Sequence, residues 1–182
     1  MKSNMKQNQI ASETQVKTFA VGDTKVRVSG KGYPLVLLHG FTTTSEFWRE
    51  QVEEFSASYQ VIRPNLPGHG ISPAPKNRNY TIDAFVEDLE QIFEHFSLGR
   101  AALVGLSMGG IIAQKFAFKN PQLLDALVLV DTKAHSVGEE VRVDNVLAAS
   151  DDLGIAAASQ YIAERSFSSA APPELVEWAK PG

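Results

Sequence analysis

The amino-acid sequence predicts an α/β fold: a mostly parallel sheet flanked by helices, running to a sixth strand. Three observations predict it. Between residues 16 and 131, short apolar runs alternate with helical stretches, the pattern of parallel strands joined by right-handed crossovers. Several runs, such as Leu35 to Leu38 and Leu127 to Val130, are continuously apolar, so both faces of the sheet must be covered. Two runs end in glycine-containing corners, His39-Gly40 and Gly105-Leu106-Ser107-Met108-Gly109. Those corners fall at the carboxyl ends of strands, where such sheets bind ligands.

Each element has its own local signal. Val16–Val21 and Lys25–Ser29, joined around Gly22-Asp23, fit a β-hairpin. Pro34–Leu38 is the third strand. A helix should follow Thr43, because Thr43 and Glu46 have capping-box spacing and Trp48, Val52 and Phe55 then share a face. Tyr59–Pro64 is the fourth strand and runs into a turn rich in Pro and Gly. Ile82–Phe96 carries an apolar stripe at helical spacing, and Gly99 suits a left-handed cap behind it. Ala101–Leu106 is the fifth strand, Met108–Lys119 a nearly all-apolar helix stopped by Asn120-Pro121, and Leu127–Asp131 the sixth strand.

The flanks differ in character from this core of residues 16–135. Residues 1–15 are polar, have no apolar signal segment, and read as a disordered tail. Residues 136–182 turn to Ala, Ser and acidic side chains, with eight Asp/Glu against three Lys/Arg from Glu139 onward. They read as short helices, either a solvated tail or the start of a helical cap.

Composition narrows the class of function. The chain has 182 residues, 43% of them hydrophobic, enough for one substantial core. A net charge of −4 gives no reason to expect a nucleic-acid partner, and no apolar run has membrane-spanning length. There is no cysteine, so disulfides and thiolate metal sites are impossible, and a cytoplasmic location is favoured. No clustered ligand spacing implies a metal. Gly30-Lys31-Gly32 precedes a strand rather than a helix, so no nucleotide cofactor is implied either.

The chemistry-bearing signal is Ser107. A strand precedes it, a helix follows it, and glycines flank it at 105 and 109, the pattern of a nucleophile elbow. The turn is tight, so side chains at the two flanking positions would clash with the neighbouring strand or helix. An acyl-transfer serine needs two N–H donors for its oxyanion. Met108 supplies one as the residue after the nucleophile, and Phe41, in the loop after the third strand, supplies the other. His39 ends the third strand, where its ring braces the loop rather than acting as a base. His69 reads as a turn residue, and His95 as a surface residue near a helix end.

Taken together, HGF at 39–41, PNLPGHGIS at 64–72, GLSMGG at 105–110 and PQLLDALVLVDT at 121–132 resemble the α/β-hydrolase fold family. The resemblance runs from about Val16 to His135. It looks closest to the branch of enol-lactone hydrolases, small carboxylesterases and fold relatives of the menaquinone pathway. It implies a serine hydrolase of ester, lactone or related acyl substrates, with a helical cap inserted after the sixth strand. Haloalkane dehalogenases of this fold carry Asp at the elbow, so Ser107 argues against their chemistry.

The resemblance also implies a triad acid after a seventh strand and a histidine after an eighth, and neither is recognisable here. The chain is thus expected to correspond to the N-terminal part of a longer hydrolase. Asp131 with His135 is the local substitute, but two groups so close on one loop are poorly placed to line up on Ser107. A non-catalytic small-molecule-binding protein, or an inactive hydrolase fragment, stays open as the alternative. The apolar sixth strand would then form a sheet edge, giving self-association or pairing with a complementing C-terminal half.

Overall fold

The computed structural model describes residues 15–133 and, in isolation, Pro173. Apart from Gln15 and Pro173, the expected N-terminal tail and the expected partial cap lie outside the described residues. The described elements are β1 (Lys17–Val21), β2 (Thr24–Ser29), β3 (Tyr33–Leu38), α1 (Arg49–Phe55), β4 (Tyr59–Asn65), α2 (Ile82–His95), β5 (Ala101–Leu106), α3 (Met108–Lys119) and β6 (Leu124–Val130). Single 3-10 turns precede α1 (Ser45–Trp48) and β6 (Pro121–Leu123).

The six strands form one sheet in the order β1-β2-β4-β3-β5-β6. The hairpin strands run antiparallel, and β2 pairs antiparallel with β4. The pairs β3–β4, β3–β5 and β5–β6 are parallel. Strand β3 shows why its run had to be continuously apolar. Val36 and Leu38 enter a cluster with Leu89, Ile92 and Phe93 of α2 and Ile112 and Phe116 of α3. Leu35 and Leu37 point the other way, into a cluster with Trp48, Val52 and Val61. Alternate residues thus bury against different layers.

Three local expectations need correction. The helix after β3 is capped by Thr44, whose hydroxyl accepts from the Glu46 N–H. Thr43 is engaged elsewhere, its hydroxyl accepting from the Gly40 N–H at 2.9 Å. Helix α2 is closed not by Gly99 but by Ser97, at φ 51°. Its N–H reaches the Glu94 carbonyl at 2.9 Å, and the buried Leu98 donates to Phe93 at 2.8 Å. That six-to-one bond with an apolar residue behind it outweighs the strain of a left-handed serine. Strand β6 begins at Leu124, three residues before the apolar run suggested. Asp125 breaks the run in sequence, yet it pairs with Arg100 and accepts from the Tyr33 hydroxyl, both on neighbouring structure.

Strand β6 has a described partner on one side only, β5. Its Leu127, Val128 and Leu129 are 37–47% exposed. Among the described residues this is an open apolar flank of the sheet.

The buried carboxyl of Asp88 on α2 forms an ion pair with Arg78, which also lies 3.5 Å from Asp23. Burial pushes Asp88 up to about 6, against the pull of Arg78. Unfolding returns it to the ordinary carboxylate range. The folded state therefore holds an extra proton between about pH 4 and 6, and this contribution to stability is lost as pH rises through about 6. At about 1.4 kcal/mol per pH unit, the loss is a few kcal/mol. Asp88→Asn should shift the balance of urea midpoints at pH 4.5 and pH 7.0 toward pH 7.0. An unchanged difference would remove Asp88 from the account.

Candidate active site

Ser107 directly follows β5 and caps α3 with φ 50° and ψ −114°. A non-glycine residue in this region is strained, and such strain persists only where the surroundings enforce it. They do so here through backbone hydrogen bonds. The Ser107 N–H donates to the Val130 carbonyl at 3.0 Å. The Ser107 carbonyl accepts from the N–H groups of Gly110 (2.9 Å) and Ile111 (3.2 Å) and from the Thr132 hydroxyl (2.7 Å). Ser107 is exposed, and among the described residues its own hydroxyl makes no hydrogen bond.

The flanking glycines are required by space. A Cβ on Gly105 would lie 2.4 Å from the Gly109 carbonyl oxygen, and one on Gly109 would lie 2.5 Å from the His39 oxygen. A third glycine is needed as well: a Cβ on Gly110 would meet Thr132 at 2.6 Å. The motif pattern does not reveal that requirement, because Thr132 is distant in sequence.

The loop after β3 lies against this corner. A Cβ on Gly40 would sit 3.5 Å from the Ser107 Cβ, an ordinary contact distance. The buried His39 ring fixes the loop. Its Nε2 accepts from the Leu66 N–H at 3.1 Å, so the proton sits on Nδ1 and is donated to the Gly40 carbonyl at 2.7 Å. Burial, with the His69 ring beside it, pulls His39 down to about 3. The ring is neutral and structurally committed, as a brace and not a base. The Gly40 carbonyl also receives the Thr43 N–H at 3.3 Å. Among the described residues the N–H groups of Phe41 and Met108 donate to nothing. One free donor thus belongs to the residue after the exposed serine, at the start of a helix, and the other to the loop whose Gly40 lies against the Ser107 Cβ. Free N–H groups of this kind are able to hold negative charge.

The turn after β4 interlocks with this loop, which sequence reasoning missed for His69. The His69 Nε2 meets the Phe41 carbonyl, and its ring lies 4.9 Å from that of His39 and 6.0 Å from that of Phe41. Asn65 adds two bonds to Ser45, each 3.0 Å. The nearness of HGF to PNLPGHG was legible as shared strand ends, but not which side chain crosses between them. Asp131 follows Val130 at the mouth of the sheet, exposed and at φ 42°. His135 lies outside the described residues, and His95 sits in the last turn of α2 against Phe96. Among the described residues no group of three His, Asp or Glu could hold a metal, and no described helix is long and apolar enough to cross a membrane.

A family model for the alpha/beta hydrolase fold matches residues 33–154, two thirds of the sequence, and the chain belongs to that family. It is similar to epoxide hydrolase 4 of Mus musculus, 32% identical over 117 residues, covering 63% of this chain and 33% of the relative. It is also similar to 2-hydroxymuconate semialdehyde hydrolase of Pseudomonas sp. strain CF600, 34% identical over 110 residues, covering 59% and 39%. In three dimensions it resembles a hydrolase from Pseudomonas aeruginosa PA01, with a TM-score of 0.75, 24% identity, and coverage of 90% of this chain and 65% of that one. The fold is thus that of an alpha/beta hydrolase, and hydrolases are among its relatives. The chain spans about a third of the length of these curated relatives.

Proposed function

We propose that the chain is the nucleophile-bearing part of a serine hydrolase acting on an ester, lactone or related acyl substrate. The observation that carries this reading is Ser107, exposed in a left-handed corner at the start of α3, with unpaired N–H groups at Met108 and, on the adjoining loop, at Phe41. In this reading the Ser107 Oγ attacks the acyl carbonyl and its proton passes to a base. The carbonyl oxygen becomes an oxyanion held by the two N–H groups. The alcohol leaves with the proton, and water then hydrolyses the acyl-serine and restores the hydroxyl. His39 cannot serve as that base, because its Nε2 already accepts a backbone N–H. The base and its orienting acid must come from elsewhere, by the resemblance from the C-terminal part of the complete protein. We infer that this part, or failing it a second copy, adds to the sheet along the open flank of β6. A clean monomer of the isolated chain with a cooperative melt would refute the pairing.

A fluorophosphonate probe tests the function. In the complete protein it should modify Ser107 alone, as located by peptide mass spectrometry. A folded protein left unmodified at Ser107 would instead favour a small-molecule-binding role on the same fold.

A further inference from the structure

We propose that His69 is a positioning residue for the oxyanion-binding N–H of Phe41; this rests on the reading of Ser107 as an acyl-transfer nucleophile. A backbone N–H is only as well aimed as the two peptide planes on either side of it. The plane from Gly40 to Phe41 is held by its carbonyl, which receives the His39 Nδ1–H and the Thr43 N–H. With a trans peptide, the Phe41 N–H must then point the opposite way. The plane from Phe41 to Thr42 has one described tie: its carbonyl accepts from the His69 Nε2–H. His69 therefore closes the second of the two dihedral angles of Phe41. Remove that donor, and the 41–42 plane can rotate and tilt the N–H before it.

His69 is itself held firmly enough for this. Its N–H donates to the Leu66 carbonyl at 2.9 Å, and its carbonyl accepts from the Ser72 N–H at 3.0 Å. Glycines on both sides are in the left-handed region, Gly68 at φ 82° and Gly70 at φ 54°. A Cβ on Gly70 would lie 2.4 Å from Asn65 Oδ1, so the turn is pressed against the Asn65 side chain that also holds Ser45. The ring packs between His39, Phe41 and Phe85. The turn is thus a built support for the loop, with its only described side-chain donor to Phe41 at His69.

The test uses the complete protein and an aryl ester. His69→Phe keeps a ring but loses the donor, while His69→Gln keeps an amide donor. Removing an oxyanion donor outright costs roughly 10² to 10³ in kcat, so misaiming one should cost about tenfold to a hundredfold. We expect His69→Phe to lose that much kcat with KM within about threefold, since the oxyanion forms only in the transition state. His69→Gln should recover most of the loss. An arylboronate, which forms a tetrahedral adduct on serine, should bind His69→Phe more weakly by about the loss in kcat/KM. A His69→Phe protein with kcat within about threefold of the original would overturn the proposal. Equal losses in the Phe and Gln variants would overturn it too. A Ser107→Ala protein that still turns over would instead sink the underlying reading, so the two failures are separable.

Discussion

Ser107→Ala is expected to abolish turnover of a generic aryl ester by the complete protein while leaving the fold intact. The kinetic loss should be on the order of 10⁴ to 10⁶ in kcat, the scale seen when a triad nucleophile is deleted and only binding and the oxyanion donors remain. Stability should change by no more than about 0.5 kcal/mol, because the hydroxyl is exposed and has no hydrogen-bond partner among the described residues. Ser107→Gly separates the two roles of the position. It should be equally inactive yet more stable, by about 1 kcal/mol, since glycine adopts φ 50° without strain. Kinetics with thermal melts of the three proteins would check both halves. An active Ser107→Ala protein ends the serine-hydrolase assignment. A Ser107→Gly protein no more stable than the original would mean that the corner is not held under strain.

How far the sequence could be read depended on the distance over which each constraint acts. The strand–serine–helix corner is legible as a local pattern: Gly105, Ser107 and Gly109 sit within five residues, and the clash at Gly105 comes from the adjoining helix, although the one at Gly109 comes from the end of β3. The apolar runs of β3 and β5 announce burial on both faces, and the boundaries of α3 follow from Ser107 and Asn120-Pro121. Caps were less legible, because Thr43 and Thr44 are chemically alike and only the Gly40 backbone decides which of them turns inward. The start of β6 was hidden because Asp125 finds its partners, Arg100 and Tyr33, 25 and 92 positions away. His69 does sit in a turn, as read, but its reach was hidden for the same reason. A histidine in a Pro/Gly turn has every local excuse to be there, and its bond to Phe41 crosses 28 positions. Gly110 belongs with it, since its need for glycine comes from Thr132.

Gly109→Ala is expected to be the most damaging substitution in the described core. The new Cβ would lie 2.5 Å from the His39 carbonyl oxygen and 2.8 Å from that of Leu38. Both are backbone atoms of the end of β3, so no flexible side chain can yield. Relief requires α3 to lift away from β3, opening the cluster in which Leu38 meets Ile112 and Phe116. Overpacking against side chains usually costs about 1–3 kcal/mol. A backbone clash that separates a helix from its sheet should exceed about 4 kcal/mol, a large part of an ordinary domain's stability of about 5–15 kcal/mol. The variant should appear mainly in inclusion bodies, or melt far below the original if soluble. Gly99→Ala is the matched control. A Cβ there meets nothing within 4 Å and the backbone is not left-handed, so stability should hold or rise by about 0.4–1 kcal/mol. Urea midpoints of the two variants should therefore move apart. If Gly109→Ala melted like the original, α3 could not be seated against the His39 carbonyl. The proposed pairing of the Met108 N–H with the Phe41 N–H would then lose its structural support.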